Sequence, residues 1–205
     1  MGEHLSQNAN DKQEVREGLK RIKESTGVFP EKMSLDNGYQ SGDNLAALEQ
    51  AHVDAYIAVD RGEKSASEPL ESSDRPLVKA DFIYDEQKDC FDCPGGERLS
   101  LKKTDKNDRR VYQGDIEKCV LCPYYARCHQ SKTRQARTIN TDSNEGLRQK
   151  MKVHMDLDAS REIYKKRKVI VEPVFGQIKN SGFRGFSVRG KDKVAGEFSL
   201  ICAVH

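Results

Sequence analysis

Six cysteines are spread unevenly along the 205-residue chain, and all but Cys202 lie between positions 90 and 128. Cys119 and Cys122 form a Cys-x2-Cys pair, Cys128 follows closely, and Cys93 begins a Cys-Pro-Gly turn upstream. Thiolates on tight turns, brought together from two places in a chain, are the usual ligands of tetrahedral zinc sites. The spacing therefore predicts one Zn²⁺ site formed by Cys93, Cys119, Cys122 and Cys128, with Cys90 left over.

The same spacing leaves alternatives open. A distant cysteine followed by Cys-x2-Cys-x5-Cys also resembles the iron–sulfur segments of certain nucleases, so a [4Fe–4S] cluster is the second interpretation. A degenerate segment of free thiols is the third. A cysteine cluster without a secretory signal favours a metal in a reducing compartment over a disulfide framework, and we expect a cytoplasmic protein.

A second feature is a single carboxylate, Glu172, within the basic stretch YKKRKVIVEPVFGQIKNSGFRGFSVRG. If this stretch is helical, Lys179 shares a face with Glu172 to within about 20°, and Lys168 lies on the same side. Nearby cations keep a carboxylate ionised, and an ionised carboxylate suits Mg²⁺ or Mn²⁺, which also bind phosphate. The alternative is an ordinary surface ion pair between glutamate and lysine.

The elements that could position a second carboxylate lie near residue 36. Met33–Leu35 form a short apolar run that ends at Asp-Asn-Gly, which predicts a strand with Asp36 at its carboxyl end. A capped helix follows, and Ala55–Val59 form a second predicted strand. This order predicts a βαβ unit with two parallel strands. Ligands of such sheets bind beyond the carboxyl ends of the strands, so Asp36 could share a metal ion with Glu172.

Other elements follow from periodicity and helix-breaking residues. An amphipathic helix is predicted over residues 11–26, with Asp11 as its N-cap. Residues 60–78 have the composition of a polar linker. The basic stretch is predicted to be helical and either to kink at Pro173 or to begin a new helix there. Residues 194–204 are predicted to form a closing core helix.

Charge is segregated along the chain although the net charge is only +2. The span from Glu31 to Glu97 holds 16 acidic and 6 basic residues, whereas the span from Arg148 to Lys193 holds 13 basic and 5 acidic residues. A basic half suggests a polyanionic partner, and the alternative is an ordinary solvated helix face. With a mean hydropathy of −0.81 and no apolar run near the length of a membrane helix, no membrane partner is expected.

Two blocks, LDNGYQSGDNLAALEQAHVDAYIA and the basic stretch, together resemble the DDE transposases of bacterial insertion sequences. The branch concerned has a cysteine-rich insertion between its second and third acidic residues, and the resemblance covers about residues 8–205. The Y-R-E-K signature of that family matches Tyr164, Arg167, Glu172 and Lys179. Four residues separate the arginine from the glutamate here, where three is common.

The resemblance implies an α/β protein with a partial RNase H-like fold, its N-terminal strands missing, and a cysteine-rich metal-knuckle insertion. Residues 1–59 would be the remnant of the catalytic core, 60–150 the linker and insertion, and 151–205 the rest of the core with the signature helix. The implied activity is DNA transposition by metal-dependent phosphodiester cleavage and strand transfer.

The resemblance also implies roles for individual residues. Asp36 would be the second catalytic acid and Glu172 the third, with Mg²⁺ or Mn²⁺ activating water and then a 3′-hydroxyl. The DNA partner would be the insertion-sequence ends. The implied DNA contacts are Tyr164, Arg167, Lys168, Lys179, Arg184 and Arg189.

The first acidic residue of the family would precede the helix at 11–26. Here that position holds GEHLSQNAN, which contains neither an apolar strand nor an aspartate. We therefore expect a chain that lacks one carboxylate and is inactive alone. Two alternatives are a non-catalytic, zinc-containing DNA-binding protein and a regulator that joins a full-length transposase.

Overall fold

The computed structural model describes residues 5–59, 69–70, 74–129, 131 and 133–204. The chain divides into two compact units, the first formed by Met1–Ala58 with His154–His205 and the second by Val59–Val153. Much of the predicted linker, at residues 60–68 and 71–73, lies outside the described residues.

The first unit begins with helix α1 (Glu14–Thr26), strand β1 (Lys32–Leu35), helix α2 (Gly42–Gln50) and strand β2 (Asp54–Ile57). The two strands pair in parallel, from Lys32 opposite Asp54 to Leu35 opposite Ile57. The predicted parallel βαβ unit is therefore confirmed. Helix α1 packs on α2, and the buried apolar side chains of this unit include Val15, Leu19, Leu45, Leu48, Tyr56 and Ile57.

The N-cap prediction for Asp11 is wrong. A 3₁₀ turn covers Asp11–Gln13 before α1 begins, and its N-cap is Asn10, whose side chain accepts from the Lys12 N–H. The backbone carbonyl of Asp11 accepts instead from the side chain of Asn44 on α2. This tertiary hydrogen bond holds the turn against α2 and leaves the Asp11 carboxylate available for another role.

The basic stretch is not one continuous helix. It contains the end of α6 (Asp158–Lys165), then α7 (Arg167–Ile170) and α8 (Glu172–Asn180), and α9 (Lys191–Val204) follows. Pro173 lies in the first turn of α8, which is one of the two predicted outcomes. Because proline lacks an N–H to bond to the preceding turn, the helix is interrupted at Val171.

Two predictions for these helices are therefore corrected. Lys168 lies on α7 and Glu172 on α8, so the prediction that they lie on the same side of one continuous helix is wrong. The helix predicted at 194–204 is present as α9, but no residue on it is buried, so it is not a core helix. Its apolar residues are spread around the helix, and such a helix is buried only where other elements surround it; here its side chains stay exposed or half-buried.

The second unit contains an antiparallel sheet with its strands in sequence order. The strands are β3 (Ile83–Asp85), β4 (Cys90–Asp92), β5 (Arg98–Thr104), β6 (Arg110–Gln113) and β7 (Thr138–Thr141). Helices α3 (Ile116–Leu121) and α4 (Tyr125–Cys128) lie between β6 and β7, and α5 (Glu145–Asp156) follows β7. The core of this unit consists of Leu77, Phe82, Phe91, Leu99, Tyr112 and Ile139.

Candidate carboxylate and thiol sites

Asp36 lies directly after β1, at the carboxyl end of the parallel strand pair. Its side chain accepts a hydrogen bond of 2.8 Å from the Gly38 N–H, which fixes the turn that follows. The Asn37 side chain donates to the Ala58 carbonyl at 3.0 Å and so ties this turn to the chain beyond β2. The carboxylate of Asp36 is thus held at the sheet edge where the sequence predicts it.

Arg167 joins the two predicted catalytic carboxylates. Its Nη1 lies 3.8 Å from Oδ2 of Asp36, and its Nη2 lies 3.6 Å from Oε1 of Glu172. The guanidinium also lies over the ring of Tyr164, 5.7 Å from the ring centroid. The fold therefore gathers Asp36 with the tyrosine, arginine and glutamate of the signature, although the carboxylate pair is bridged by a guanidinium.

Asp11 is a third carboxylate at this place, although the sequence predicts it only as an N-cap. A Cβ built on Gly38 would lie 3.1 Å from Oδ2 of Asp11 and 3.1 Å from Oδ1 of Asp36, so both oxygens flank the same point. Burial raises the pKa of Tyr39, and the negative charges of Asp11, Asp36 and Glu14 raise it further. No local motif marks Asp11, because only the packing of its turn on α2 brings it to Asp36.

Asn44 holds that packing in place and is only 1% exposed. Its side-chain amide donates to the Asp11 carbonyl at 3.0 Å and to the Tyr39 carbonyl at 2.8 Å. Its side-chain oxygen accepts from the Val15 N–H at 3.3 Å. One buried side chain thus connects the turn that carries Asp11, the turn after Asp36 and the start of α1.

The remaining predicted DNA contacts are Lys168, Lys179, Arg184 and Arg189. Lys168, Lys179 and Arg189 are exposed, and among the described residues no ion pair joins them to either carboxylate. Arg184 donates from Nη1 to the Lys179 carbonyl at 2.9 Å, which satisfies a carbonyl group near the end of α8. The roles of these cations in DNA binding stay predictions.

The four cysteines predicted to bind zinc line one cavity of ≈ 30 Å³ in the second unit. Cys93, Cys119 and Cys122 lie on tight turns. The Gly96 N–H donates to the Cys93 carbonyl at 2.9 Å, and the Cys122 N–H donates to the Cys119 carbonyl at 3.1 Å. Cys128 ends α4. Cys90 lies buried in β4 and is not among the residues that line this cavity.

Sulfur atoms crowd the glycine turns around the cavity. A Cβ on Gly95 would lie 2.7 Å from Sγ of Cys122 and 3.5 Å from Sγ of Cys93. Burial raises the pKa of the Cys128 thiol, Arg137 opposes this effect, and the sulfurs of Cys119, Cys93 and Cys122 add to it. The thiols are therefore neighbours around one small space.

Neither group of side chains has the geometry of a formed metal site. Across the described part of the chain, no set of three or more His, Cys, Asp or Glu side chains is gathered closely enough to hold a metal ion. The zinc prediction is thus not supported by the geometry, although the sulfur atoms are the donors that Zn²⁺ prefers. The carboxylate oxygens around Asp36 are likewise the donors that Mg²⁺ prefers.

In a comparison with protein families, residues 92–205 match a model described as the transposase DDE domain. Because the match covers more than half of the chain, this protein belongs to the transposase DDE-domain family. The match includes the four cavity cysteines and the Y-R-E-K signature, whereas Asp36 precedes it.

Members of this family act on DNA and typically use divalent metal ions. No curated protein and no solved structure matches the chain. None of the described helices is long and apolar enough to cross a membrane.

Proposed function

We propose that this chain takes part in DNA transposition and that Asp36 and Glu172 are catalytic carboxylates of an RNase H-like core. The observation that carries the proposal is the bridge through Arg167, whose guanidinium lies 3.8 Å from Asp36 and 3.6 Å from Glu172. A carboxylate at the end of a parallel strand and a carboxylate on the signature helix thus meet at one place. The parallel pair with its crossover helix α2 supports the RNase H-like assignment, and the separate second unit supports an inserted cysteine-rich region.

The chain's own residues supply the binding and positioning functions. When bound at the carboxylates, Mg²⁺ or Mn²⁺ would activate water, and later a 3′-hydroxyl, for attack on a phosphodiester. Asp36 and Glu172 would hold that ion through their oxygens. Arg167 is suited to a bidentate contact with a DNA phosphate, and the ring of Tyr164 orients its guanidinium. Lys168, Lys179, Arg184 and Arg189 would follow the phosphate backbone on the same basic surface.

DNA binding by this surface is tested by its dependence on salt. We expect Lys179→Ala to weaken binding to a DNA duplex and to lower the slope of log K against log salt by about one, because one phosphate contact is lost. Fluorescence anisotropy over a salt series measures both. Lys20→Ala is the matched control, since Lys20 lies on α1 and pairs with Glu24. An unchanged slope for Lys179→Ala would remove this residue from the interface.

Catalysis is tested separately, by nicking of supercoiled DNA in the presence of Mn²⁺. We propose that the chain alone is inactive or only weakly active, because the family site uses three acidic residues and the sequence predicts two. Any nicking that is observed should disappear in Asp36→Asn and in Glu172→Gln. Activity that survives both substitutions would show that these carboxylates do not form the site.

Regulation of a full-length transposase is the second candidate function. The observation that favours it is a set of exposed apolar side chains in the first unit, which a protein partner could cover. The set comprises Val169 (74% exposed), Ile170 (66%), Leu200 (69%) and Val204 (89%). If these side chains bind a full-length transposase, we expect the chain to co-purify with an intact family member and to lower transposition when the two are co-expressed.

We also propose that Zn²⁺ binds Cys93, Cys119, Cys122 and Cys128 and draws their sulfurs inward from the walls of the shared cavity, with a [4Fe–4S] cluster as the alternative. The support is that all four line that cavity and that turn hydrogen bonds present Cys93 and Cys119. A DNA-binding protein with such a structural metal but no nuclease activity is the corresponding non-catalytic alternative.

Elemental analysis of anaerobically purified protein tests this metal proposal. We expect about one Zn per chain, and Cys128→Ser should lower the metal content. Cys202→Ser, on α9 in the other unit, is the matched cysteine control and should retain the metal. Protein that contains neither Zn nor Fe would contradict the proposal.

A further inference from the structure

Arg167 lies between the two carboxylates that the proposed function assigns to a divalent cation. Its two terminal nitrogens face Oδ2 of Asp36 at 3.8 Å and Oε1 of Glu172 at 3.6 Å. The Arg167 side chain is only 22% exposed, whereas the side chains of Asp36 and Glu172 are 46% and 54% exposed. The guanidinium is therefore the more enclosed partner and lies between two carboxylates that remain open to solvent.

The charges around Arg167 do not balance within this cluster. Asp11 adds a second carboxylate beside Asp36, since an oxygen of each lies 3.1 Å from the position of a Cβ on Gly38. One guanidinium thus neighbours an acidic group with a larger total negative charge. The remaining charge attracts a further cation, yet the oxygens that would bind it are the ones facing the guanidinium.

We propose that Arg167 is an internal counter-ion of Asp36 and Glu172. It keeps these carboxylates from binding a divalent cation until its guanidinium leaves them and pairs with a DNA phosphate. This inference rests on the proposed function, in which these carboxylates hold Mg²⁺ or Mn²⁺. It makes DNA and metal binding mutually dependent. By linkage, DNA raises the affinity for the cation by the same factor by which the cation raises the affinity for DNA.

The geometry favours such an exchange. Contacts of 3.6 and 3.8 Å between a guanidinium and half-exposed carboxylates are loose ion pairs, which contribute little free energy and break easily. A phosphate offers the same guanidinium a bidentate partner with shorter hydrogen bonds. The Arg167 guanidinium also contacts the ring of Tyr164. This contact does not involve the carboxylates, so it can persist whether the guanidinium pairs with them or with a phosphate.

Calorimetric titration of the full chain with Mn²⁺ alone, and with Mn²⁺ in the presence of a short blunt-ended DNA duplex, tests the inference. For the wild type we expect weak Mn²⁺ binding without DNA and an affinity on the order of tenfold higher with saturating duplex. For Arg167→Gln we expect the affinity without DNA to rise on the order of tenfold and to respond little to the duplex. The electron paramagnetic resonance signal of free Mn²⁺ gives an independent measure of binding.

Arg161→Gln is the matched control, because it removes a guanidinium from the neighbouring helix α6 that pairs with Asp156 instead. It should leave the Mn²⁺ affinity without DNA unchanged. Equal affinities for wild type and Arg167→Gln without DNA would overturn the inference, even if Asp36→Asn lowers Mn²⁺ binding and so upholds the proposed function. If Asp36→Asn binds Mn²⁺ as the wild type does, both the inference and the proposed metal site fail.

Discussion

Cys122 lies so close to Gly95 that position 95 has no room for a side chain: a Cβ built there would be 2.7 Å from Sγ of Cys122. The same Cβ would be 3.5 Å from Sγ of Cys93. The glycine thus allows two of the four cavity thiols to approach one turn, and the chain conformation at residue 95 is coupled to the sulfur positions.

Gly95→Ala should therefore destabilise the second unit by about 1–3 kcal/mol, as overpacking of a tight contact usually does. Thermal unfolding followed by circular dichroism measures the change, and the metal content of the purified variant should fall with it. Gly18→Ala is the control, since a Cβ there meets nothing within 4 Å. In the middle of α1 that alanine should stabilise by about 0.5–1 kcal/mol. Equal stability of Gly95→Ala and wild type would mean that the thiols can move away freely.

Asn44→Ala should destabilise the first unit by about 2–3 kcal/mol. The substitution leaves the Val15 N–H and the Asp11 and Tyr39 carbonyls without their side-chain partner, and each unsatisfied buried group carries a desolvation cost. Urea denaturation measures the free energy of unfolding. Asn180→Ala, at the exposed end of α8, should change it little. If both variants unfold alike, the turn that carries Asp11 is not held by Asn44.

The stability of the second unit should depend on pH through Asp81. Two hydrogen bonds from Arg75, at 2.7 and 2.9 Å, lower the pKa of this carboxyl group, although burial opposes them. Because the pKa of Asp81 is lower in the folded protein, its ionised carboxylate stabilises the fold at pH values above about 4, the pKa of an aspartate in the unfolded chain. The contribution is lost as the pH falls through the lowered value.

Arg75→Met should accordingly cost about 2 kcal/mol at neutral pH, as expected for hydrogen bonds between charged groups. The difference from wild type should shrink when the pH is lowered below about 4. Denaturation curves at a series of pH values measure it. Arg109→Met is the control because Arg109 is exposed. A difference that stays constant with pH would mean that the cost comes from lost packing alone.

The phenol of Tyr56 should resist ionisation. A hydrogen bond of 2.5 Å to Oδ2 of Asp54, together with burial, raises the pKa of Tyr56 to about 12. The resulting stabilisation is present below about pH 10, the value for an unfolded tyrosine, and is lost as the pH rises towards the folded value. Asp54→Asn removes the charge and should bring the pKa down. Titration of a ¹³C-labelled tyrosine ring by NMR measures this, with Asp43→Asn as the control.

Much of the local structure could be predicted from the sequence. The order of strand, helix and strand before Val59 leads to the parallel pair, because apolar runs of that length and spacing have few other ways to pack. The cysteine spacing predicts four thiols around one centre, and all four line one cavity. Pro173 starts a new helix because its missing N–H cannot continue the previous one.

The predictions that are wrong rest on local patterns that tertiary contacts override. Asp11 has the residue type of an N-cap, yet a hydrogen bond from Asn44 to its carbonyl fixes a different turn. The helix α9 is apolar enough for a core, yet a helix that is apolar on several sides is buried only where other elements surround it, and no residue on α9 is buried. Lys168 is separated from Glu172 by the break at Val171.

The sequence by itself determined the chemical groups of this protein: a signature of tyrosine, arginine, glutamate and lysine, a carboxylate at a strand end, and four spaced thiols. Only the tertiary structure decided that Arg167 lies between Asp36 and Glu172 and that Asp11 stands beside Asp36. Spacing along the chain specifies which residues share a helix face or a turn. It does not specify which distant segments meet, because that depends on the packing of α1 on α2 and on buried hydrogen bonds such as those of Asn44.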